Sequence, residues 1–313
     1  MTTAFTFPGQ GSQAVGMGKA LAEAYPEARA VFDAVDEALG EKLSAIMWDG
    51  PLETLTLTRN AQPALMAVSM AAIRVLETKG VTVAGKAAYV AGHSLGEYSA
   101  LAAAGSLAIE DAARLLRIRG TAMQDAVPVG DGAMAALLGL DLDDAKAVAA
   151  AAAEHDVCDT ANDNAPGQVV ISGSRTAVER AVEIAKEKGA KRAILLPVSA
   201  PFHCSLMRPA AEIMAQALAE VHIHPPAVPL VANVLARPIT NPAEIRNRLV
   251  EQVTGMVRWR ESVAWLAENG VDALAEIGAG KVLSGLAKRI AGEAKTLSVG
   301  TPAEIDAFVE ALA

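Results

Sequence analysis

The chain has 313 residues, of which 52% are hydrophobic and 20% charged, and its formal net charge is −9. This length allows one large domain or two unequal ones, and the surplus of acidic residues excludes the extensive phosphate contacts of a nucleic-acid-binding protein. The apolar stretches are too short to span a bilayer, and no basic residue precedes an apolar run at the N-terminus as in a secretory signal. We therefore expect a soluble cytoplasmic protein without a nucleic-acid or membrane partner.

The early part of the chain alternates β-prone segments with helical patterns. Residues 4–7 are apolar and end at Pro8-Gly9, so they predict a buried strand, and residues 87–91 predict a second one. Helical patterns follow at residues 19–39, 62–79 and 97–104. Strands separated by helices indicate a parallel α/β sheet.

The middle of the chain has a different rhythm. We predict the order strand, helix, strand pair, helix, strand at residues 133–140, 142–154, around Pro166-Gly167, 176–188 and 192–196. This order is that of a small ferredoxin-like unit. Further strands of the larger sheet are predicted at 228–234 and 273–277. We therefore predict an inserted subdomain at residues 130–197 within a larger domain of residues 1–129 and 198–313.

The segment Gly92-His93-Ser94-Leu95-Gly96 lies between a predicted strand and a predicted helix, which is the place of a nucleophile elbow. The turn of such an elbow is so tight that small residues must flank the nucleophile, and the two glycines meet this need. Ser94 is therefore the candidate nucleophile. The alternative is a glycine-flanked turn with an inert serine.

A serine hydroxyl is a weak nucleophile at neutral pH unless a base takes its proton, so a histidine must approach it in the fold. Among the five histidines, His203 stands between prolines at the end of a β-prone segment, where loop-borne catalytic residues commonly lie. The alternative is a hydrogen-bonded loop histidine without a catalytic role. The side chain of His93 is expected to point away from Ser94, and the remaining histidines lie in polar connections or at a solvated edge.

The glycine-rich segment after the first strand contains Gly9-x-Gly11-x-x-Ala14, which formally matches the dinucleotide-binding fingerprint. Pro8 enters this turn, and no second strand ends in an acidic residue about twenty positions later, so the match is weak. The same backbone can instead present N–H groups to a developing oxyanion.

Arginines follow the elbow helix at positions 114, 117 and 119. Arg114 and Arg117 are one helical turn apart and share a face, whereas Arg119 precedes Gly120 and is the candidate for an inward position. A guanidinium in a dry pocket can hold a carboxylate with two parallel hydrogen bonds. The alternative is a solvated basic face.

Motifs in a fixed order carry a resemblance to a known family. They lie at residues 7–13, 92–98, 117–120, 162–168, 199–203, and 252 with 257–259. Together they resemble the malonyl-CoA:acyl carrier protein transacylases of type II fatty acid synthesis and the acyltransferase domains of fatty acid and polyketide synthases. The similarity runs from Thr6 to about Arg289. It implies an α/β-hydrolase-like large domain interrupted by a ferredoxin-like subdomain.

The resemblance also implies roles for individual residues in acyl transfer. Ser94 would be the nucleophile and His203 its general base and acid, while the backbone N–H groups of Gln10 and Leu95 would form the oxyanion hole. The backbone carbonyl of Gln252 would accept the other ring N–H of the histidine and fix its tautomer. This carbonyl would take the place of the carboxylate that completes many catalytic triads.

The resemblance further implies how the substrate is chosen. Arg119 would bind the free carboxylate of a malonyl group, and Asn162 would belong to the substrate-binding residues. Leu95 and Phe202 resemble the malonyl-selecting versions of these motifs, and bulky Phe202 would crowd an α-methyl branch. We expect methylmalonyl-CoA to react more slowly than malonyl-CoA.

The expected reaction is ping-pong transfer from malonyl-CoA to acyl carrier protein, by a monomer that needs no cofactor or metal. Cys158 and Cys204, the two cysteines, have no metal-binding spacing. An acidic carrier protein requires a positive docking surface, for which residues 186–192 and 246–248 are candidates. A serine thioesterase or esterase, a non-catalytic carrier-binding module and a polyketide-pathway malonyltransferase are the alternatives.

Overall fold

The computed structural model of the protein describes residues 1–312 and arranges its strands in two sheets. The strands are β1 (Thr3–Phe7), β2 (Ala87–Gly92), β3 (Gly132–Leu138), β4 (Cys158–Ala165), β5 (Gln168–Ser174), β6 (Arg192–Leu195), β7 (Leu230–Ala232), β8 (Arg237–Ile239), β9 (Ala273–Ile277) and β10 (Lys295–Val299).

The helices lie between these strands in the chain. They are α1 (Lys19–Ala24), α2 (Pro26–Leu39), α3 (Leu43–Asp49), α4 (Leu52–Thr56), α5 (Thr58–Thr78), α6 (Val83–Lys86), α7 (Gly96–Ala103), α8 (Ile109–Asp125), α9 (Leu142–Ala153), α10 (Arg175–Glu187), α11 (Arg208–Ala219), α12 (Pro242–Thr254), α13 (Trp259–Glu268), α14 (Val282–Ile290) and α15 (Pro302–Leu312). A 3₁₀ turn, Ser205–Met207, directly precedes α11.

The larger sheet has six strands in the order β10-β9-β1-β2-β7-β8. All neighbouring pairs are parallel except β7 with β8, which is antiparallel. Strand β1 lies inside the sheet and every one of its residues is buried, as expected for a parallel strand covered by helices on both faces. The predicted α/β class with a mainly parallel sheet is confirmed.

The smaller sheet has four antiparallel strands in the order β4-β5-β3-β6, with α9 and α10 packed on it. The chain order β3-α9-β4-β5-α10-β6 and this strand order are those of a ferredoxin-like unit, which confirms the predicted fold of this region. It has a hydrophobic core of its own around Ile171 and Val178. We propose residues 130–197 as the inserted subdomain, and 1–129 with 198–313 as the catalytic domain.

The single helical pattern at residues 19–39 is wrong in one respect, because the structure contains two helices there. Tyr25 between them is extended, with φ −135°, and Pro26 is the first residue of α2. Proline lacks an N–H and disfavours a helical conformation of the residue before it, so an apolar repeat that passes through Pro26 cannot form one continuous helix.

The smaller sheet contacts the larger domain at the connection between α12 and α13 and at the start of α13. Asn162 of β4 forms a parallel bridge with Val257, whose N–H donates to the Ala161 carbonyl at 2.9 Å. The buried Asp163 accepts hydrogen bonds from Arg260 Nε at 2.9 and 3.1 Å. These contacts determine how the smaller sheet sits beside the residues described next.

In the part of the chain that the structure describes, no helix combines the length and the apolar character needed to cross a membrane.

Candidate active site

Ser94 lies in a sharp turn between β2 and α7. Its φ of 54° lies in the left-handed region, which is strained for a residue with a Cβ. A Cβ on Gly92 would overlap the backbone of Gly96, and a Cβ on Gly96 would overlap the carbonyl of Phe7. Both positions therefore require glycine, and the segment has the steric construction of a nucleophile elbow.

Asn233, just after β7, connects the two sides of this turn by hydrogen bonds. Its Oδ1 accepts a hydrogen bond from the Ser94 N–H at 2.8 Å, and its Nδ2 donates to the Gly92 carbonyl at 2.7 Å. The side chain is buried. The sequence offers no local signal for this role, because Asn233 is far from the elbow in the chain and belongs to no pattern of its own.

His203 approaches Ser94 from a loop, with its own φ of 57° in the left-handed region. Ser94 Oγ lies 2.8 Å from His203 Nε2, and His203 Nδ1 lies 2.8 Å from the backbone oxygen of Gln252. A carbonyl oxygen only accepts, so Nδ1 carries the proton and donates it to this bond. The lone pair of Nε2 therefore faces the serine hydroxyl, which donates to it.

The protonation state of His203 suits a general base. Burial, and to a smaller extent the positive charge of Arg119, lowers the pKa of His203 to about 3. The ring is therefore neutral at neutral pH and ready to accept the serine proton.

Arg119 projects from α8 into the same site and is 1% exposed. Its Nη2 donates to Ser94 Oγ at 3.1 Å and to Gln252 Oε1 at 2.7 Å, and its Nη1 donates to Gln62 Oε1 at 2.9 Å. Burial lowers the pKa of Arg119, but a guanidinium starts from so high a value that it stays charged at neutral pH. The site therefore contains a buried, positively charged guanidinium beside the serine hydroxyl.

The position of Arg119 depends on the close approach of α8 to the start of α5. A Cβ on Gly120 would lie 2.6 Å from the Thr58 carbonyl, so glycine permits this packing. Of the neighbouring arginines, Arg114 is exposed and pairs with Asp111, whereas Arg117 is half-buried, pairs with Glu41 and donates to Asn60 Oδ1 at 2.6 Å. The structure thus places Arg119 inward, as its position before Gly120 suggested, with Arg114 at the surface and Arg117 between them in exposure.

The side chain of Gln252 connects the elbow to a buried carboxylate. Its Nε2 donates to the Ser94 carbonyl at 2.9 Å and to Glu97 Oε2 at 2.6 Å. Glu97 belongs to the first turn of α7 and is 1% exposed. Burial is the main cause that raises the pKa of Glu97 to about 7, against the opposing effects of Gln252, Asn233 and Arg119.

Sequence reasoning did not single out Glu97, although a signal existed. An acidic residue directly after the elbow, within a run that is otherwise apolar and small, is unusual for a buried helix.

Leu95 belongs to the elbow itself, and Gln10 lies in the loop after β1 that packs against the elbow. Leu95 is the N-cap of α7, where the helix dipole favours negative charge. The loop of Gln10 packs closely on the turn, since a Cβ on Gly9 would lie 2.8 Å from the His93 carbonyl. Within residues 1–312, neither the Gln10 N–H nor the Leu95 N–H donates to a protein acceptor.

The loop after β1 does not have the arrangement that dinucleotide binding requires. In that motif the glycine-rich turn opens directly into a helix, whose N-terminus faces the pyrophosphate. Here α1 begins only at Lys19, several residues beyond Ala14, and Gly9 packs against His93.

Phe202 and Asn162 are the predicted site residues with the least direct contact to the reacting groups. Phe202 is 8% exposed and precedes the histidine in the chain, within the main hydrophobic cluster. Asn162 is buried at the bridge to Val257, and none of the hydrogen bonds of residues 1–312 joins its side chain to Ser94 or His203. Its neighbour Asn164 instead contacts the elbow, with Oδ1 2.8 Å from His93 Nε2.

The arrangement is suited to covalent acyl transfer. It combines a hydroxyl on a strained turn, a neutral imidazole of defined tautomer, unpaired N–H groups for an oxyanion and a buried cation beside the hydroxyl. An acyl group that carries its own carboxylate would complement the guanidinium.

Comparisons with known proteins agree with this geometry. A family model described as the acyl transferase domain matches residues 4–311. A malonyl CoA-acyl carrier protein transacylase of Bacillus subtilis (strain 168) is 48% identical over 310 residues, covering 99% of this chain and 96% of the relative.

Solved structures give the same result. The acyl-carrier-protein-S-malonyltransferase of Bartonella henselae is 60% identical with a TM-score of 0.98, covering 100% of this chain and 99% of that one. A complex of a type II PKS acyl-carrier protein with its malonyl-transacylase gives 42% identity and a TM-score of 0.96, covering 99% and 100%. The chain therefore belongs to the acyl transferase family, and within it to the malonyl CoA-acyl carrier protein transacylases.

Proposed function

We propose that this enzyme transfers a malonyl group from malonyl-CoA to the phosphopantetheine thiol of an acyl carrier protein, for fatty acid biosynthesis. The observation that carries the proposal is the meeting of Ser94, His203 and Arg119 at hydrogen-bond distance in one buried site. The printed names of the relatives supply the acyl group and the carrier.

In the first half-reaction, Ser94 Oγ attacks the thioester carbonyl of malonyl-CoA while His203 Nε2 takes the serine proton. The backbone N–H groups of Gln10 and Leu95 donate to the oxyanion that forms. The carbon–sulfur bond then breaks, CoA leaves as a thiol with the proton from the imidazolium, and the malonyl group remains as an ester of Ser94.

In the second half-reaction, the carrier thiol occupies the position that CoA has left. His203 takes the thiol proton, the sulfur attacks the ester carbonyl, and the serine oxygen leaves with that proton. The malonyl carboxylate stays on Arg119 throughout. The mechanism uses groups of this chain and of its substrates, and we propose that the enzyme acts as a monomer.

Residues 186–192 are the better of the two candidate docking regions for the acidic carrier. In the run 246–248, Arg246 donates to backbone carbonyls of Leu218 and Val221, and Arg248 pairs with glutamates of its own helix. Lys191 and Arg192, in contrast, are exposed at the edge strand of the smaller sheet. Their charge remains available to an acidic partner.

Phe202 is proposed to select against branched acyl groups. Its ring is buried within the main cluster directly before the catalytic histidine, so an α-methyl group on the acyl chain would meet a filled space. We expect a lower kcat/KM for methylmalonyl-CoA than for malonyl-CoA, and a smaller difference in Phe202→Ala. Equal turnover of both substrates by the unchanged enzyme would contradict this role.

The mass of the intact protein after exposure to malonyl-CoA tests the proposed function. We expect one malonyl adduct, its absence in Ser94→Ala, and its transfer to added acyl carrier protein. Release of the label as free malonate in the presence of the carrier would indicate a thioesterase or esterase. Failure of any adduct to form would indicate a carrier-binding module without acyl-transfer activity. Carriers of fatty acid and of polyketide synthesis, compared as acceptors, separate the two pathways.

A further inference from the structure

Within residues 1–312, no carboxylate contacts the buried guanidinium of Arg119 directly. The hydrogen-bond acceptors of the Arg119 guanidinium are the neutral groups of Gln62, Ser94 and Gln252. A buried guanidinium ordinarily pairs with an anion, because an unpaired charge is costly away from water. Arg119 Nε has no hydrogen-bond partner within residues 1–312, so the guanidinium retains a donor for an anion supplied by a substrate.

A second buried charge lies one amide group away. Glu97 Oε2 accepts from Gln252 Nε2 at 2.6 Å, and the same amide offers Oε1 to Arg119 at 2.7 Å. Both Glu97 and Arg119 are 1% exposed. The free site is thus close to electrical neutrality when Glu97 is ionised, with the amide of Gln252 as the bridge between the charges.

A malonyl group would bring a second carboxylate to this site. Arg119 alone cannot balance two buried anions, and the repulsion between them is weakly screened because Glu97 and Arg119 are buried. Removal of one negative charge relieves this imbalance. Glu97 is the group that can lose its charge, because it can take up a proton while the amide bridge stays in place.

The other titratable groups around Glu97 do not change charge near neutral pH. Tyr98, the next residue of α7, has its pKa raised to about 12 by burial, and His203 has its pKa lowered to about 3. Gln252 from α12 and Asn233 from the loop after β7 are neutral amides, and Arg119 from α8 stays cationic. Glu97, whose pKa burial raises to about 7, is the group that can respond.

We propose that Glu97 is a specificity-determining residue that takes up one proton when a malonyl group occupies the site, so that the acyl carboxylate replaces Glu97 as the counter-ion of Arg119. This inference rests on the proposed function. The acyl step itself is unchanged: the ester bond to Ser94 forms, the thioester bond breaks, and CoA leaves with the serine proton. The additional proton comes from the solvent and binds to the carboxylate of Glu97.

The linkage has a definite sign. If malonyl loading raises the pKa of Glu97, protons favour loading, and loading weakens as the pH rises above the pKa of the free site. An acetyl group brings no charge and has no such dependence. Because both thioesters release CoA, ionisation of the CoA thiol cancels in the ratio of malonyl to acetyl acylation rates.

The experiment measures kcat/KM for acylation of Ser94 by malonyl-CoA and by acetyl-CoA between about pH 6 and pH 9. In the unchanged enzyme we expect the ratio to be level below about pH 7 and then to fall, by up to about tenfold per pH unit. In Glu97→Gln, which keeps an acceptor for the Gln252 amide but has no charge to lose, we expect a level ratio. A level ratio in the unchanged enzyme, or an unaltered fall in the variant, would overturn the proposal.

Glu276→Gln is the matched control. Glu276 is also a buried glutamate, but its oxygens accept from the N–H groups of Leu283 and Ser284 at the start of α14. We expect this variant to be less stable and yet to keep the fall of the ratio with pH. Loss of the fall in this variant would mean that general destabilisation, and not the charge of Glu97, is responsible.

A direct measurement uses only the unchanged enzyme. Single-turnover loading with malonyl-CoA in weakly buffered solution near pH 7.5, followed with a pH indicator, is expected to take up a substantial fraction of one proton per enzyme more than loading with acetyl-CoA. Equal proton uptake from both would overturn the proposal. If no malonyl adduct forms on Ser94 at all, the proposed function itself fails, and this outcome is distinct from an adduct without linked protonation.

Discussion

The two proposed catalytic residues share an unfavourable backbone conformation. Ser94 and His203 have φ values of 54° and 57°, and neither is a glycine. Such conformations cost about 1–3 kcal/mol each and persist only where the surroundings hold them. Asn233 holds the serine side through the Ser94 N–H, and the carbonyl of Gln252 holds the imidazole. Part of the stability of the protein is therefore given up to bring a hydroxyl and a ring together.

This strain predicts the relative stability of two inactive variants. Ser94→Ala and Ser94→Gly both lose the hydroxyl, but only glycine adopts the left-handed region without steric cost. After allowance for the greater freedom of glycine in the unfolded chain, we expect Ser94→Gly to be more stable than Ser94→Ala by about 0.5–1 kcal/mol. Urea unfolding of both variants measures the difference. A less stable glycine variant would show that the turn is not strained.

Arg119 is expected to separate charged from uncharged acyl groups. Replacement by Ala removes the hydrogen bonds that a malonyl carboxylate would receive, and bonds to charged groups contribute about 1.5–3 kcal/mol each. We expect Arg119→Ala to lower kcat/KM for malonyl-CoA about 100-fold or more, and that for acetyl-CoA by much less. Steady-state rates with both thioesters provide the test, and an equal loss with both would assign Arg119 a structural role.

At the scale of secondary-structure elements, the elbow depends on how closely β2, α7 and β1 approach one another. The backbone of Gly96 lies so close to Gly92 and to the end of β1 that neither glycine leaves space for a Cβ. The start of α7 is thereby pressed against the sheet. This packing holds the hydroxyl of Ser94 beside His203 and Arg119.

Gly92→Ala should therefore disrupt the whole unit formed by β2, the turn at Ser94 and α7. The new Cβ would meet backbone atoms, which cannot move aside as a flexible side chain can, so we expect a loss of more than about 3 kcal/mol in the free energy of unfolding and no malonyl adduct. Gly285→Ala is the control, since its Cβ would enter open space within α14 and is expected to stabilise the helix by up to about 1 kcal/mol. Equal stability of the two variants would contradict this account of the turn.

At the scale of the whole molecule, the site joins segments that are remote in the chain. Ser94 and His203 are separated by 109 positions, and the Ser94 carbonyl and Gln252 by 158. The site is therefore complete only when the segments that carry Ser94, His203 and Gln252 have packed together in the larger domain.

The buried neutral imidazole makes the folded state sensitive to acid. His203 has a pKa of about 3 in the folded protein, against an ordinary value of 6.5. Between these values the unfolded chain binds more protons, so the contribution of this group to stability is present above about pH 6.5 and is lost as the pH falls towards 3. The loss amounts to up to about 5 kcal/mol.

Unfolding in urea at several pH values, with the unchanged enzyme and His203→Gln, checks this expectation. The unchanged enzyme should lose more stability than the variant between about pH 6.5 and pH 4. Glu97 titrates in both proteins with the opposite sign, because its raised pKa favours the folded state at low pH, and its effect cancels in the comparison. Parallel curves would contradict the assignment of a buried neutral ring.

Interactions between residues that are close together in the chain made several features predictable from the sequence. A glycine-flanked serine between a strand and a helix indicates an elbow through steric exclusion, which operates between neighbouring residues. Hydrophobic periodicity and turn residues predict strands β1 and β9. They also predict the order of the four strands and two helices that form the ferredoxin-like unit. The inward position of Arg119 followed from helical spacing and the adjacent glycine. The family resemblance added the histidine and the carbonyl of Gln252.

Only the tertiary structure decided which distant groups meet at the site. Glu97, Asn233 and Gln62 carry no pattern of their own, because an amide or a carboxylate gains its role from the partner that it meets, and that partner lies elsewhere in the chain. The protonation states of His203 and Glu97 likewise depend on burial, which is a property of the packed protein. Sequence therefore determined the architecture and the candidate nucleophile, while folding determined the charges and hydrogen bonds around Ser94.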